Sequence, residues 1–173
     1  RIEAPMLNNK TTVGGVFHVQ CLDSEGNVKW DEAFHNLVVN EGLQDINAKY
    51  FTGVTYTATW YMGLVNTGAT YAAGNTMASH STWTENVGYV QSARPTMAFG
   101  SPTLADPSVL TSTPTVFTIN ASSTIAGAFL STANAKSGTT GLLFSVGNFT
   151  VGDRPVFSGD TLNVTYVFSA DAA

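Results

Sequence analysis

Between Asp160 and Ala170 the large apolar residues Leu162, Val164, Tyr166 and Phe168 take every second position, with Asn163 and Thr165 between them. A period of two is the pleat of a β-strand with one face in a core, and no helix satisfies it. Gly159 and Asp160 supply the turn leading in. The same β-branched and aromatic bias, bounded by turn formers, marks Val16 to Leu22, Val28 to Trp30, Asn36 to Val39, Trp60 to Val65, Pro114 to Asn120, Thr124 to Ser131 and Gly141 to Phe149. Asp23-Ser24-Glu25-Gly26-Asn27 joins the first two as a hairpin. Strands in this number and spacing predict an all-β fold, an antiparallel β-sandwich of jelly-roll-like or related Greek-key type, and a closed barrel satisfies the same pattern.

One segment carries a helical period. Asn40 suits an N-cap, Glu41 suits the positive helix end, and Leu43, Ile46 and Tyr50 recur at three- and four-residue spacing. A short α-helix near residues 41 to 51 is expected, ending near Gly53, its apolar stripe plugging one end of the sheet core. The core itself is expected to contain Phe17, Val19, Leu37, Ile46, Trp60, Phe117, Phe129, Phe144, Val164, Tyr166 and Phe168.

At 173 residues the chain can bury one core, and a single sandwich domain over 1–173 is expected, with an N-terminal extension of about residues 1–13. Residues 66–82 and 100–114 are rich in Gly, Ala, Ser, Thr and Pro without a period. Long loops in compact domains commonly serve a function. Both segments hold more apolar residues than a free linker, so both read as arms that order against neighbours. Tyr71, Met77, Leu104, Val109 and Leu110 are the candidate partner contacts.

Charge narrows the partners. Lys, Arg, Asp and Glu make up 11% of the chain, where about a quarter is ordinary. The surface is instead rich in hydroxyls and amides, with 24 Thr, 14 Ser and 13 Asn. Free monomers usually keep charged surfaces to prevent association, so this composition favours outer faces that meet other protein subunits. Seven scattered Lys and Arg in a chain of net charge -5 give no basic stripe for nucleic acid. No apolar run approaches the roughly 20 residues that span a bilayer, and Arg1-Ile2-Glu3-Ala4-Pro5 has no signal-peptide character, so no membrane partner is expected.

The search for chemistry is unproductive. Cys21 lies in an apolar strand and reads as a core thiol. His18, His35 and His80 stand in no metal spacing, and no Gly-x-Ser-x-Gly elbow occurs. His80 and Glu85 form the best local polar pair, read as a hydrogen bond that stiffens its loop. Asp23, Glu25 and Asn27 superficially suggest a calcium loop, but the glycine is misplaced and no bidentate Glu follows at the twelfth position. The Asn-x-Ser/Thr triplets at Asn120, Asn148 and Asn163 are what a Thr- and Asn-rich chain produces by chance. Trp30, Trp60 and Trp83 read as core side chains rather than a sugar platform. The expectation is a non-enzyme that needs no metal or organic cofactor.

Four runs together resemble a known family: Phe34-His35-Asn36-Leu37-Val38-Val39-Asn40-Glu41-Gly42-Leu43, then Trp60-Tyr61-Met62-Gly63-Leu64, then Thr76-Met77-Ala78-Ser79-His80 with Trp83-Thr84-Glu85, and Gly159-Asp160-Thr161-Leu162-Asn163-Val164-Thr165-Tyr166. Over roughly residues 14 to 168 the chain is similar to small tailed-bacteriophage virion proteins of the capsid cement or decoration type, which tend to be encoded beside the major capsid protein. The resemblance implies a jelly-roll structural protein on the outer face of the capsid, assembled in the bacterial host cytoplasm. Its implied partners are the major capsid protein and further copies of itself, a dimer before a trimer; the weak surface charge adds the expectation of an uncharged sheet face as the twofold contact. The alternative is a tail or fibre component with a carbohydrate- or receptor-binding head. The shared motifs are strands and turns, so no catalytic residue is implied.

Overall fold

The structure, a computed structural model, describes residues 11–56 and 59–172. Its elements are β1 (Thr12–Leu22), β2 (Val28–His35), β3 (Leu37–Val38), α1 (Asn40–Phe51), β4 (Trp60–Asn66), β5 (Glu85–Asn86), β6 (Thr96–Met97), β7 (Ser108–Thr111), β8 (Thr115–Thr118), β9 (Ser123–Ser131), β10 (Leu143–Asn148), β11 (Arg154–Val156) and β12 (Thr161–Asp171). They form two antiparallel sheets. The first runs β2-β1-β12-β7, with β8 also on β12; the second runs β3-β10-β9-β4-β5, with β11 on β9 and β6 on β4. The fold is the expected all-β sandwich with one short helix.

The first and last long strands lie side by side over their whole lengths, Thr12 opposite Asp171 and Leu22 opposite Thr161. Phe17, Val19 and Cys21 of β1 and Leu162, Val164 and Tyr166 of β12 face inward. They meet Met62, Leu64, Ala128, Leu130 and Phe144 of the second sheet in the main core. The alternation read from β12 is the burial observed.

The second sheet is buried on both faces. Val65, Ala126, Phe129, Leu143 and Val146 point away from the main core and meet Met77 and Trp83, with Ala69 and Tyr71 packed alongside. Residues 66–82 are therefore a cover for this sheet, not an arm. The physical reason is that β9 and β10 carry apolar groups on both faces, Leu130 and Phe144 toward the main core and Phe129, Leu143 and Val146 away from it, and need burial on each. Gly127 packs against the Gly147 carbonyl, where a β-carbon would collide with backbone.

Three other expectations change. Residues 1–10 of the proposed N-terminal extension lie outside the described residues, while Thr12 and Val13 already belong to β1. Within 100–114, Ser108–Thr111 is a strand on β12. Asn40 is the first residue of α1 rather than its cap; Val39 holds the cap position with no side-chain hydrogen bond. Of the expected apolar stripe only Ile46 packs on the core, so the helix is rotated from the face expected. Gly42 is its buried residue, pressed against the Phe144 carbonyl with no room for a β-carbon, and this contact leaves Leu43 and Tyr50 outside. Leu37, Ile46, Trp60 and Phe168 are half-buried; the other expected core residues are buried.

Cys21 lies on the floor of the main core, its Sγ donating to Asp160 Oδ2 at 3.6 Å. The same oxygen accepts from Lys29 Nζ at 2.6 Å and Phe157 N at 2.8 Å, tying β2 to the turn before β12. Burial, then the Asp160 charge, pushes the thiol from 9.0 up to about 12, and burial pushes Tyr166 from 10.0 up to about 12. Both groups are held neutral in the folded state, so their contribution to stability is complete below the unfolded values. It is lost as pH rises from about 9 toward about 12. The native thiol should stay unlabelled by iodoacetamide at about pH 8 and label fully in denaturant, and denaturant midpoints should fall above about pH 9. Rapid native labelling, or a midpoint flat through that range, contradicts this placement.

Candidate functional site

Four regions have the exposure or polar grouping to be considered, beginning with the segment that leads into β7. Gly100 N donates to Thr111 O at 3.0 Å, Thr103 N to Val109 O at 2.9 Å, and Val109 N to Thr103 Oγ1 at 2.8 Å. Phe99 bridges Ser112, and Asp106 accepts from Ala172 N at 3.1 Å. These bonds make residues 99–112 a projecting, ordered hairpin. Every residue from Ser101 to Pro107 is exposed, and Leu104 at its tip has no cover at all.

Beside the hairpin lies the outer face of the first sheet. Cross-strand pairing aligns Asp31, Gln20, Asn163 and Val116 in one row and Ala33, His18 and Thr165 in the next. All of these but Val116 line a shallow depression of about 530 Å³. Gln20, Asn163 and Thr165 give it amide and hydroxyl groups, beside the Asp31 carboxylate and the His18 imidazole, so this face is polar but not the uncharged one expected.

The third region is a groove of about 500 Å³ at the end of the sandwich where α1 sits. Its walls are aromatic and aliphatic, among them Trp60, Phe99, Leu110, Phe144 and Phe168, with Asp45 and Lys49 on the helix side. Lys49 Nζ is 3.6 Å from Asp45 and donates to Thr55 O at 3.3 Å; Trp60 Nε1 donates to Tyr56 Oη at 2.9 Å.

The fourth is a cleft of about 190 Å³ near Arg94 and Glu85. Here the expected His80–Glu85 bond is replaced. His80 stacks on Trp83 and its Nδ1 lies 3.0 Å from Trp83 O, while Glu85 receives the Arg94 fork at 3.0 and 2.8 Å. Arg94 also donates to Ala133 O and Gly138 O, and Glu85 accepts from Ser137 N at 2.6 Å. Arg94 and Glu85 together hold the 132–139 loop, while His80 bonds only Trp83. Among the described residues no cluster of three or more His, Cys, Asp or Glu is placed to hold a metal. Asp23 closes its turn by accepting from the backbone of Asn27 and Glu25, and these bonds lower its carboxyl below the usual range.

The five candidate contacts separate. Met77 is buried in the second core, because β9 and β10 need that cover, and is removed from the set; Tyr71 is half-buried against the same core. Val109 and Leu110 are half-buried in β7, Leu110 opposite Phe168 in the groove wall. Leu104 alone is free on the surface. The sequence reading missed the aromatic group Tyr50, Phe51 and Tyr56 at the helix end, all exposed. Its signal was available: Tyr50-Phe51 followed by Val54 and Tyr56 is more apolar surface than one helix face can bury.

No protein-family model, curated protein or solved structure matches the chain. Among the described residues no helix is long and apolar enough to cross a membrane.

Proposed function

We propose that this chain is a structural virion protein, a capsid cement protein that binds the outer surface of the major capsid shell and bridges neighbouring subunits. The observation that carries this reading is the ordered hairpin with Leu104 at its tip, next to a polar sheet face that carries Gln20, Asn163 and Thr165 beside Asp31. An arm already fixed in shape loses less conformational entropy on docking than a segment that must fold, so one apolar anchor contributes more net affinity. The hairpin thus replaces the arms that order on binding. The resemblance to capsid decoration proteins and the low surface charge supply the class of partner. For the tail-fibre alternative, a sugar platform would have to come from Trp60 in the groove wall and the exposed Tyr50, Phe51 and Tyr56, since Trp83 is buried and Trp30 packs on the core.

The test is a substitution rather than a deletion, because removing β7 would unpair β12 and open the groove wall. Leu104→Asp leaves every backbone bond of the hairpin in place and should shift stability by no more than about 0.5 kcal/mol. Binding to shells of the major capsid protein should weaken about tenfold or more, the effect of losing an anchor of at least 1.4 kcal/mol. Unchanged shell occupancy removes the hairpin from the mechanism.

A further inference from the structure

Charge is divided unevenly between the two sheets. Every lysine and arginine among the described residues is engaged. Lys29, Lys49, Arg94 and Arg154 pair with Asp160, Asp45, Glu85 and Glu32, and Lys136 donates to the Val87 and Tyr89 carbonyls at 3.3 and 2.7 Å. Asp23, Glu25, Asp31 and Asp106 have no ion pair among the described residues, and all four belong to the first sheet or to the turn and hairpin that leave it. On the second sheet, Glu41 and Asp153 bond the backbone of Leu143 and Gly68, and Lys136 stands on the same side as a counter-charge. The free charge of the first sheet is therefore of one sign.

These carboxylates surround the surface that would dock. Asp106 stands beside Leu104 in the exposed run from Ser101 to Pro107, Asp31 lies in the outward row with Gln20 and Asn163, and Glu25 is exposed in the turn after β1. A partner laid over the hairpin and this face strips water from them. A carboxylate that loses water without gaining a cation or donors opposes binding. The first sheet has no free lysine or arginine to neutralise these groups from within, so the compensating charge comes from the partner.

We infer that the surface on which the hairpin docks is basic, an apolar pocket for Leu104 rimmed by lysine or arginine side chains that face Asp106 and, across the sheet, Asp31. The inference rests on the capsid reading, and its test separates the two.

Binding of the full chain to shells of the major capsid protein should weaken at least tenfold in salt, because the screening length falls from about 10 Å at 0.1 M to about 3 Å at 1 M. The double variant Glu25→Lys, Asp31→Lys changes two exposed positions and should keep its melting temperature. It should associate with the shells at least about threefold more slowly at 0.1 M, and at the rate of the unaltered chain at 1 M. Equal binding at both salt concentrations, or a double variant that associates at the original rate at 0.1 M, overturns the inference and leaves the capsid reading standing. A chain that binds no shell at either concentration overturns both.

Discussion

Replacing Arg94 with alanine is expected to destabilise the fold by about 3–5 kcal/mol, the cost of removing one partner from a buried ion pair. The Arg94 and Glu85 side chains are 1% and 4% exposed. The alanine variant leaves the Glu85 carboxylate with only Ser137 N and Tyr89 Oη as donors, and leaves the Ala133 and Gly138 carbonyls without the guanidinium. Arg94→Lys should recover little, because an ammonium cannot supply the fork to Glu85 and both carbonyls together. Replacing both partners by apolar residues of similar volume should recover much of the loss, since no charge is then stranded. Urea unfolding measures all three variants. A loss below about 1 kcal/mol for Arg94→Ala would mean the pair is solvated and the knot does not hold its loop.

Phe129→Ala should cost a similar amount, about 3–5 kcal/mol, for a different reason. Phe129 is fully buried at the centre of β9, on the face turned away from the main core. Its ring lies 5.1 Å from that of Trp83 and 5.0 Å under the Arg94 guanidinium, and it fills the space that the missing side chain of Gly63 leaves. Truncation empties the second core where neither β4 nor β10 can close the gap. Because Phe129 touches Arg94, the double variant should depart from additivity by about 0.5–3 kcal/mol. Phe168→Ala, on the half-buried wall of the end groove, should lose less than Phe129→Ala. Equal losses would mean the groove is as tightly packed as the core.

The strands were readable because alternation is local. Leu162, Val164 and Tyr166 declare their face in sequence, and the turn at Asp23 to Asn27 declares its hairpin through side chains that bond their own backbone. What pairs with what was not readable, since β1 beside β12 joins the two ends of the chain and no local pattern records it. In β9 and β10 the apolar residues mark strands locally, but the cover that their outer faces need, Met77 included, comes from a distant segment that only the fold brings there. The helix was legible as a helix and not in its rotation: a single Gly42 fitted against the Phe144 carbonyl outweighs the Leu43–Tyr50 stripe. Glu85 reads locally as a partner for His80, because its true partner Arg94 lies beyond eight intervening residues and only the fold brings the two together. For the candidate site, Leu104 was legible because an apolar residue among Ser, Thr and Pro has no strand or helix to bury it.

The central claim, that this chain decorates a capsid shell, is tested most directly by a density map of the intact particle. The account predicts density for this fold repeated across the shell, with the 99–112 hairpin lying on a neighbouring major capsid subunit. Density for this fold confined to one vertex or to the tail would contradict it.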